Sequence, residues 1–118
     1  MKNKAQLIFF CLVCVLLSPM RTHAEMAIAG AGSATTCGDY VNLRRTQTST
    51  ADSIFVPWLQ GFLSGINANR LLLKQKTIDI PEPKTLALMV ESYCVNSPSD
   101  SVWITSLRIS NDLIKKLN

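Results

Sequence analysis

The side chains able to do chemistry are few, and their placement removes most of them. The 118 residues hold four cysteines and one histidine. Cys11 and Cys14 lie in an apolar run over residues 7–17, behind Lys2 and Lys4 and ahead of Pro19 and Thr22-His23-Ala24. A basic start, a short apolar run and small residues three and one before a cut after Ala24 follow the plan of a secretory signal peptide. The run falls short of the roughly 20 apolar residues that a membrane span takes. Neither cysteine follows a small residue, so lipid attachment is not expected there. Cleavage would remove both cysteines together with His23.

The expected mature chain then has no histidine, hence no general base with an ordinary pKa near neutrality and no imidazole metal ligand. Asp39, Asp52, Asp79, Glu82, Glu91, Asp100 and Asp112 are scattered along the chain rather than paired. A Gly-rich phosphate loop, a Ser-His-Asp set, a zinc-type cysteine spacing and a dinucleotide fingerprint are all missing from the sequence. The reading is a non-enzyme with no catalytic residue, no metal site and no cofactor.

Cys37 and Cys94 remain. An even count in an oxidising destination makes a disulfide the default reading, and closing a loop of this length stabilises a fold by roughly 4 kcal/mol through chain entropy. The rival reading, a reactive thiol, lacks a histidine partner. Charge narrows the partners further. The signal takes Lys2, Lys4 and Arg21 of the 12 Lys and Arg residues, leaving nine against eight Asp and Glu. A mature net charge of about +1 removes the electrostatic case for nucleic acid or an anionic membrane.

The elements that must position these groups read as helices. In residues 53–73, Phe55, Trp58, Leu59, Phe62, Leu63 and Ile66 recur at steps of three and four, which defines a buried face. On the other flank Gly61 and Gly65, continued by Ala68 and Asn69, offer close approach to another helix. Two mid-helix glycines cost about 1 kcal/mol each against alanine, and packing is the expected compensation. Pro57 fits a first turn, so this central helix is expected to start between Ser53 and Val56. Gln60, Ser64, Asn67 and Asn69 are read as solvated or capping.

Before it, residues 25–35 read as a flexible leader. Thr36 caps a short first helix, with Asp39 in its first turn and Tyr40, Val41 and Leu43 as its apolar contacts. Residues 44–50 read as a polar surface connection that begins with Arg44 and Arg45 at a solvated helix end.

After the central helix, residues 74–83 read as an exposed loop with a short extended piece at 77–80. Lys74, Lys76, Thr77, Asp79, Ile80 and Glu82 are its candidate partner-binding residues, since loops on rigid frames carry specificity. Pro83 opens a third helix with Leu86, Met89, Val90, Tyr93 and Cys94 at helical spacing. Ser97 and Pro98 are read as N-cap and first residue of a fourth, with Asp100 in its first turn. Trp103 is placed on the core. The expected fold class is all-α: a four-helix domain over residues 36–118 with one disulfide, behind a signal peptide at 1–24. Its expected core includes Tyr40, Phe55, Trp58, Gly61, Phe62, Gly65, Ile66, Leu86, Val90 and Tyr93.

Thr36-Cys37-Gly38-Asp39-Tyr40, Trp58-x-x-Gly61-Phe62-Leu63-Ser64-Gly65-x-Asn67 and Tyr93-Cys94-x-Asn96-x-Pro98, in that order, resemble two groups of exported bacterial proteins. One is the Rap/Tai immunity family, which neutralises cell-wall amidase effectors of type VI secretion. The other is the HdeA/HdeB acid-stress chaperones. The likeness spans Thr36 to the C-terminus, and the tryptophan-bearing segment is closer to the immunity group. It implies a periplasmic protein whose partner is another protein, with a homodimer possible and no membrane insertion after signal cleavage. An immunity protein would block one effector with a loop. A chaperone would loosen in acid and expose its central apolar face to unfolding clients, and a structural subunit of an envelope assembly is a third expectation.

Overall fold

The computed structural model describes residues 28–117. The expected signal peptide, with Cys11, Cys14 and His23, lies outside them. Five helices follow one another among the described residues: α1 (Ala31–Ala34), α2 (Cys37–Thr46), α3 (Thr48–Leu72), α4 (Pro83–Asn96) and α5 (Val102–Lys115). Among the described residues there is no strand, only an isolated antiparallel bridge between Thr36 and Ser101.

That bridge is where the fold starts. Thr36 and Ser101 are the N-caps of α2 and α5, and each hydroxyl accepts from an amide of its own first turn, Asp39 for Thr36 and Ile104 for Ser101. Between the two caps, Val102 N donates to Thr35 O at 3.0 Å and Cys37 N to Asp100 O at 2.7 Å. Two helix starts are thereby pinned side by side, their orphan amides satisfied by caps and by each other. Ser97-Pro98-Ser99-Asp100 was expected to start the last helix but forms a turn, because the Asp100 and Pro98 carbonyls are taken by Cys37 N and Gly38 N. The cap moves on to Ser101.

One residue beyond the Thr36 cap, Cys37 is joined to Cys94 at the end of α4. Both cysteines are fully buried, and the Thr105 hydroxyl of α5 donates to Cys37 Sγ at 3.2 Å. Around them Tyr40, Phe55, Leu59, Leu63, Ile78, Leu86, Val90, Val102 and Ile109 form the core. Tyr40 meets Phe55 edge to face with ring centroids 5.1 Å apart. The members of this buried cluster, and both cysteines, lie between Cys37 and Leu113, so residues 25–118 carry their own core and covalent tie.

Three expectations are corrected by packing. The polar connection at 44–50 is helical apart from a break at Gln47 (φ −145°, ψ 66°). Arg44 is turned inward instead of solvated, and Thr46 and Thr48 hydroxyls bond back to the carbonyls of Asn42 and Arg44. Pro57 therefore falls well inside α3 rather than in its first turn. An interior proline costs about 3 kcal/mol, and burial of Ala51, Phe55 and Val56 before it, with Leu59 and Leu63 after it, holds both halves on the core.

The end of the expected flexible leader is the single turn of α1, which lies across Trp58. The indole Nε1 donates to Ala29 O at 2.9 Å. Gly30, at φ +91°, and Gly32 sit so near the ring that a Cβ would fall 2.6 Å and 2.3 Å from it. Trp58 and Phe62 stack on each other at 5.7 Å and are half-buried at the core's edge.

The third correction is the glycine face. Gly61 and Gly65, expected in the core, are exposed, and a Cβ at either meets nothing within 4 Å. α2, α4 and α5 all pack on the large-residue side of α3, so among the described residues no helix fills the other. Gly61→Ala and Gly65→Ala are therefore expected to stabilise the oxidised chain by about 1 kcal/mol each, read by urea denaturation. Gly32→Ala is expected to destabilise it by displacing Trp58.

Candidate functional site

Residues 73–82, between α3 and α4, contain the expected partner-binding residues, and their path is set by α3. The helix ends in a Schellman arrangement in which Lys74 N donates to Leu71 O and Gln75 N to Arg70 O. That geometry needs a left-handed residue after the C-cap, usually glycine, and here Lys74 takes it at φ 55°. Arg70 Nε then donates to Lys76 O at 2.6 Å.

Asn67, one turn earlier, clamps the chain further on. Its side-chain oxygen accepts from Ile78 N at 2.8 Å and its amide donates to Ile78 O at 2.9 Å. Both backbone groups of one loop residue are thus satisfied by one side chain, which lets Ile78 sink into the core at 3% exposure. The expected extended piece at 77–80 forms no strand, because this clamp replaces a strand partner.

Ile78 divides the candidate residues. Before it stand Lys74 and Lys76, both exposed; after it stand Asp79 and Glu82, also exposed. Thr77 is half-buried, and Ile80 packs partly against the core. Glu82 accepts from the Thr85 hydroxyl at 3.2 Å at the start of α4. The acidic arm borders a shallow hollow of about 350 Å³ lined by Asp52, Val56, Pro57, Gln60, Pro83 and Lys84. A second hollow of about 390 Å³ lies along Ile28, Ala29, Pro57, Trp58, Gly61 and Phe62.

Behind the loop, the frame is tied by charges. Arg44, with an 11% exposed side chain, pairs through Nε with Asp52 at 3.0 Å and through Nη1 with Glu91, joining α2, α3 and α4. Burial opposes its charge, but the hydrogen bond to Asp52 and the surrounding negative groups prevail, so the guanidinium is held above its ordinary pKa. Burial also pushes the Tyr40 hydroxyl up to about 12, while it donates to Ala87 O at 3.2 Å. Tyr93 donates to Asp112, which raises the phenol and lowers the carboxylate. Arg108 pairs with Asp100 at 2.5 Å.

Each of these contacts ties one element of the frame to another. Arg44, Arg108 and Lys115 each meet a carboxylate, and among the described residues no three His, Cys, Asp or Glu side chains gather as metal ligands would. No described helix is long and apolar enough to cross a membrane. Compared with protein-family models, curated proteins and solved structures, the chain matches none. What the geometry offers is a preformed surface: a loop nailed at its middle, flanked by shallow hollows.

The Asn67 clamp predicts its own test. Asn67→Ala leaves a buried amide and carbonyl at Ile78 unpaired, which is expected to destabilise the chain by about 2 kcal/mol. Amide exchange should accelerate most at residues 76–80. Unchanged exchange there would mean that the loop is held by something else.

Proposed function

We propose that this chain is an exported, periplasmic protein-binding module that acts as an immunity-like inhibitor of a cell-wall-degrading effector. The observation that carries the reading is the Asn67 clamp on Ile78. A loop fixed in this way loses little conformational entropy on docking, which is how a small surface reaches useful affinity. The contact surface is the acidic arm, Asp79 and Glu82 with Ile80 beside them, and the hollow running from Pro83 and Lys84 to Pro57 and Gln60. The resemblance of the Trp58 to Asn67 segment to the Rap/Tai group supplies the class of partner, and the signal-like residues 1–24 supply the compartment.

A second reading, an acid-stress chaperone of the HdeA/HdeB kind, draws support from Arg44. Its guanidinium is nearly buried and held by two carboxylates from two other helices. Loss of those two partners would strand a nearly buried cation and loosen α2, α3 and α4 together. The two readings diverge in one experiment: oxidised residues 25–118, immobilised and exposed to envelope extract at neutral pH and in strong acid. The inhibitor reading expects one stoichiometric partner at neutral pH, lost in Asp79→Arg and Glu82→Arg. Many partners held only in acid would contradict it and favour the chaperone.

A further inference from the structure

The largest apolar exposure among the described residues is at the end of α3, where Leu71, Leu72 and Leu73 are 65%, 82% and 60% exposed. Successive helical residues point about 100° apart, so the three leucines spread around most of the helix end. A flat protein face would cover one or two of them; a medium into which the end dips covers all three.

Between Asp52 and Asp79 the charged residues along the chain are all basic. Arg70 precedes the leucines, Lys74 and Lys76 follow, and the sequence holds no carboxylate between Asp52 and Asp79. By contrast Arg44, Arg108 and Lys115 meet acids. Arg70, Lys74 and Lys76 form no ion pair among the described residues. The near-neutral charge expected of the mature chain thus hides a local concentration of cations. Lys74 adds an independent sign: a cation occupies a left-handed position where glycine would be unstrained. The residues that normally close a Schellman cap with an apolar contact are here Arg70 and Gln75, so nothing in the cap covers the leucines.

We infer that this tip docks the protein on an anionic lipid surface, with the three leucines entering the headgroup boundary and Arg70, Lys74 and Lys76 facing lipid phosphates. Exposed leucines beside cations are what interfacial binding uses, and each basic residue near an anionic bilayer strengthens partition roughly fivefold. The Arg70 and Asn67 contacts hold the tip in shape, so docking would leave the acidic arm free for a protein partner. The inference stands on this tip alone and does not require the inhibitor reading.

The test is co-sedimentation of oxidised residues 25–118 with vesicles of phosphatidylcholine alone and of phosphatidylcholine mixed with phosphatidylglycerol. Binding is expected only to the anionic vesicles and should weaken with salt. Leu72→Ser should reduce it, and Lys74→Gln with Lys76→Gln should lower it by roughly fivefold per cation. Arg45→Gln with Lys84→Gln should weaken it far less. All these positions are exposed, so an unchanged thermal melt checks that each variant is folded. No binding to anionic vesicles overturns the inference, as does binding that survives both tip variants. A tip that ignores vesicles yet is needed to hold a protein overturns it in favour of a protein socket.

Discussion

The structure depends on one cross-tie. Cys37, the first residue of α2, is bonded covalently to Cys94 near the end of α4, and its amide donates to Asp100 just ahead of α5. Three helix ends meet at one buried point, roofed by Thr105. α3 is held against this assembly by its large residues and by Arg44, whose two ion pairs reach Asp52 and Glu91. A domain of this size buries a limited core and has little stability to spare. The covalent tie is therefore a large share of what keeps the helices together, and Asn67 can hold a loop in place only if α3 itself stays put.

Much of this was legible in the sequence. The Thr36 cap with Asp39, the Pro83 start of α4 and the pairing of Cys37 with Cys94 follow from local rules that tertiary packing did not override. Tyr40, Phe55, Leu86 and Val90 are buried as their spacing requires, and Trp58, Phe62, Ile66 and Tyr93 line the core's edge. What failed were inferences that needed the partners of a face. Gly61 and Gly65 announced room for a close neighbour, but a sequence does not say whether that neighbour belongs to the same chain. Pro57 suggested a helix start because its local cost was visible, whereas the burial offsetting it was not.

The candidate loop shows the same division. Its exposure and charge were readable, but its anchor was not, because Asn67 lies 11 residues from Ile78 and isolated asparagines are usually solvated. The outward turn of Leu71, Leu72 and Leu73 was also hidden, since they continue the apolar character of a helix whose other leucines are buried. Both features concern which side of α3 the remaining helices cover. Once that is known, the described residues present two separate surfaces, an acidic arm beside a hollow and a cationic apolar tip.

The dependence of this frame on its cross-tie is tested most directly by guanidinium denaturation of residues 25–118, oxidised and with the disulfide reduced. Chain entropy over a sequence separation of 57 residues predicts a loss of roughly 4 kcal/mol on reduction. The midpoint should fall accordingly, and Ile78 should lose its protection from exchange along with the core. A reduced chain with the midpoint of the oxidised one, and with Ile78 still protected, would show that helix packing alone sets the fold and would contradict the account.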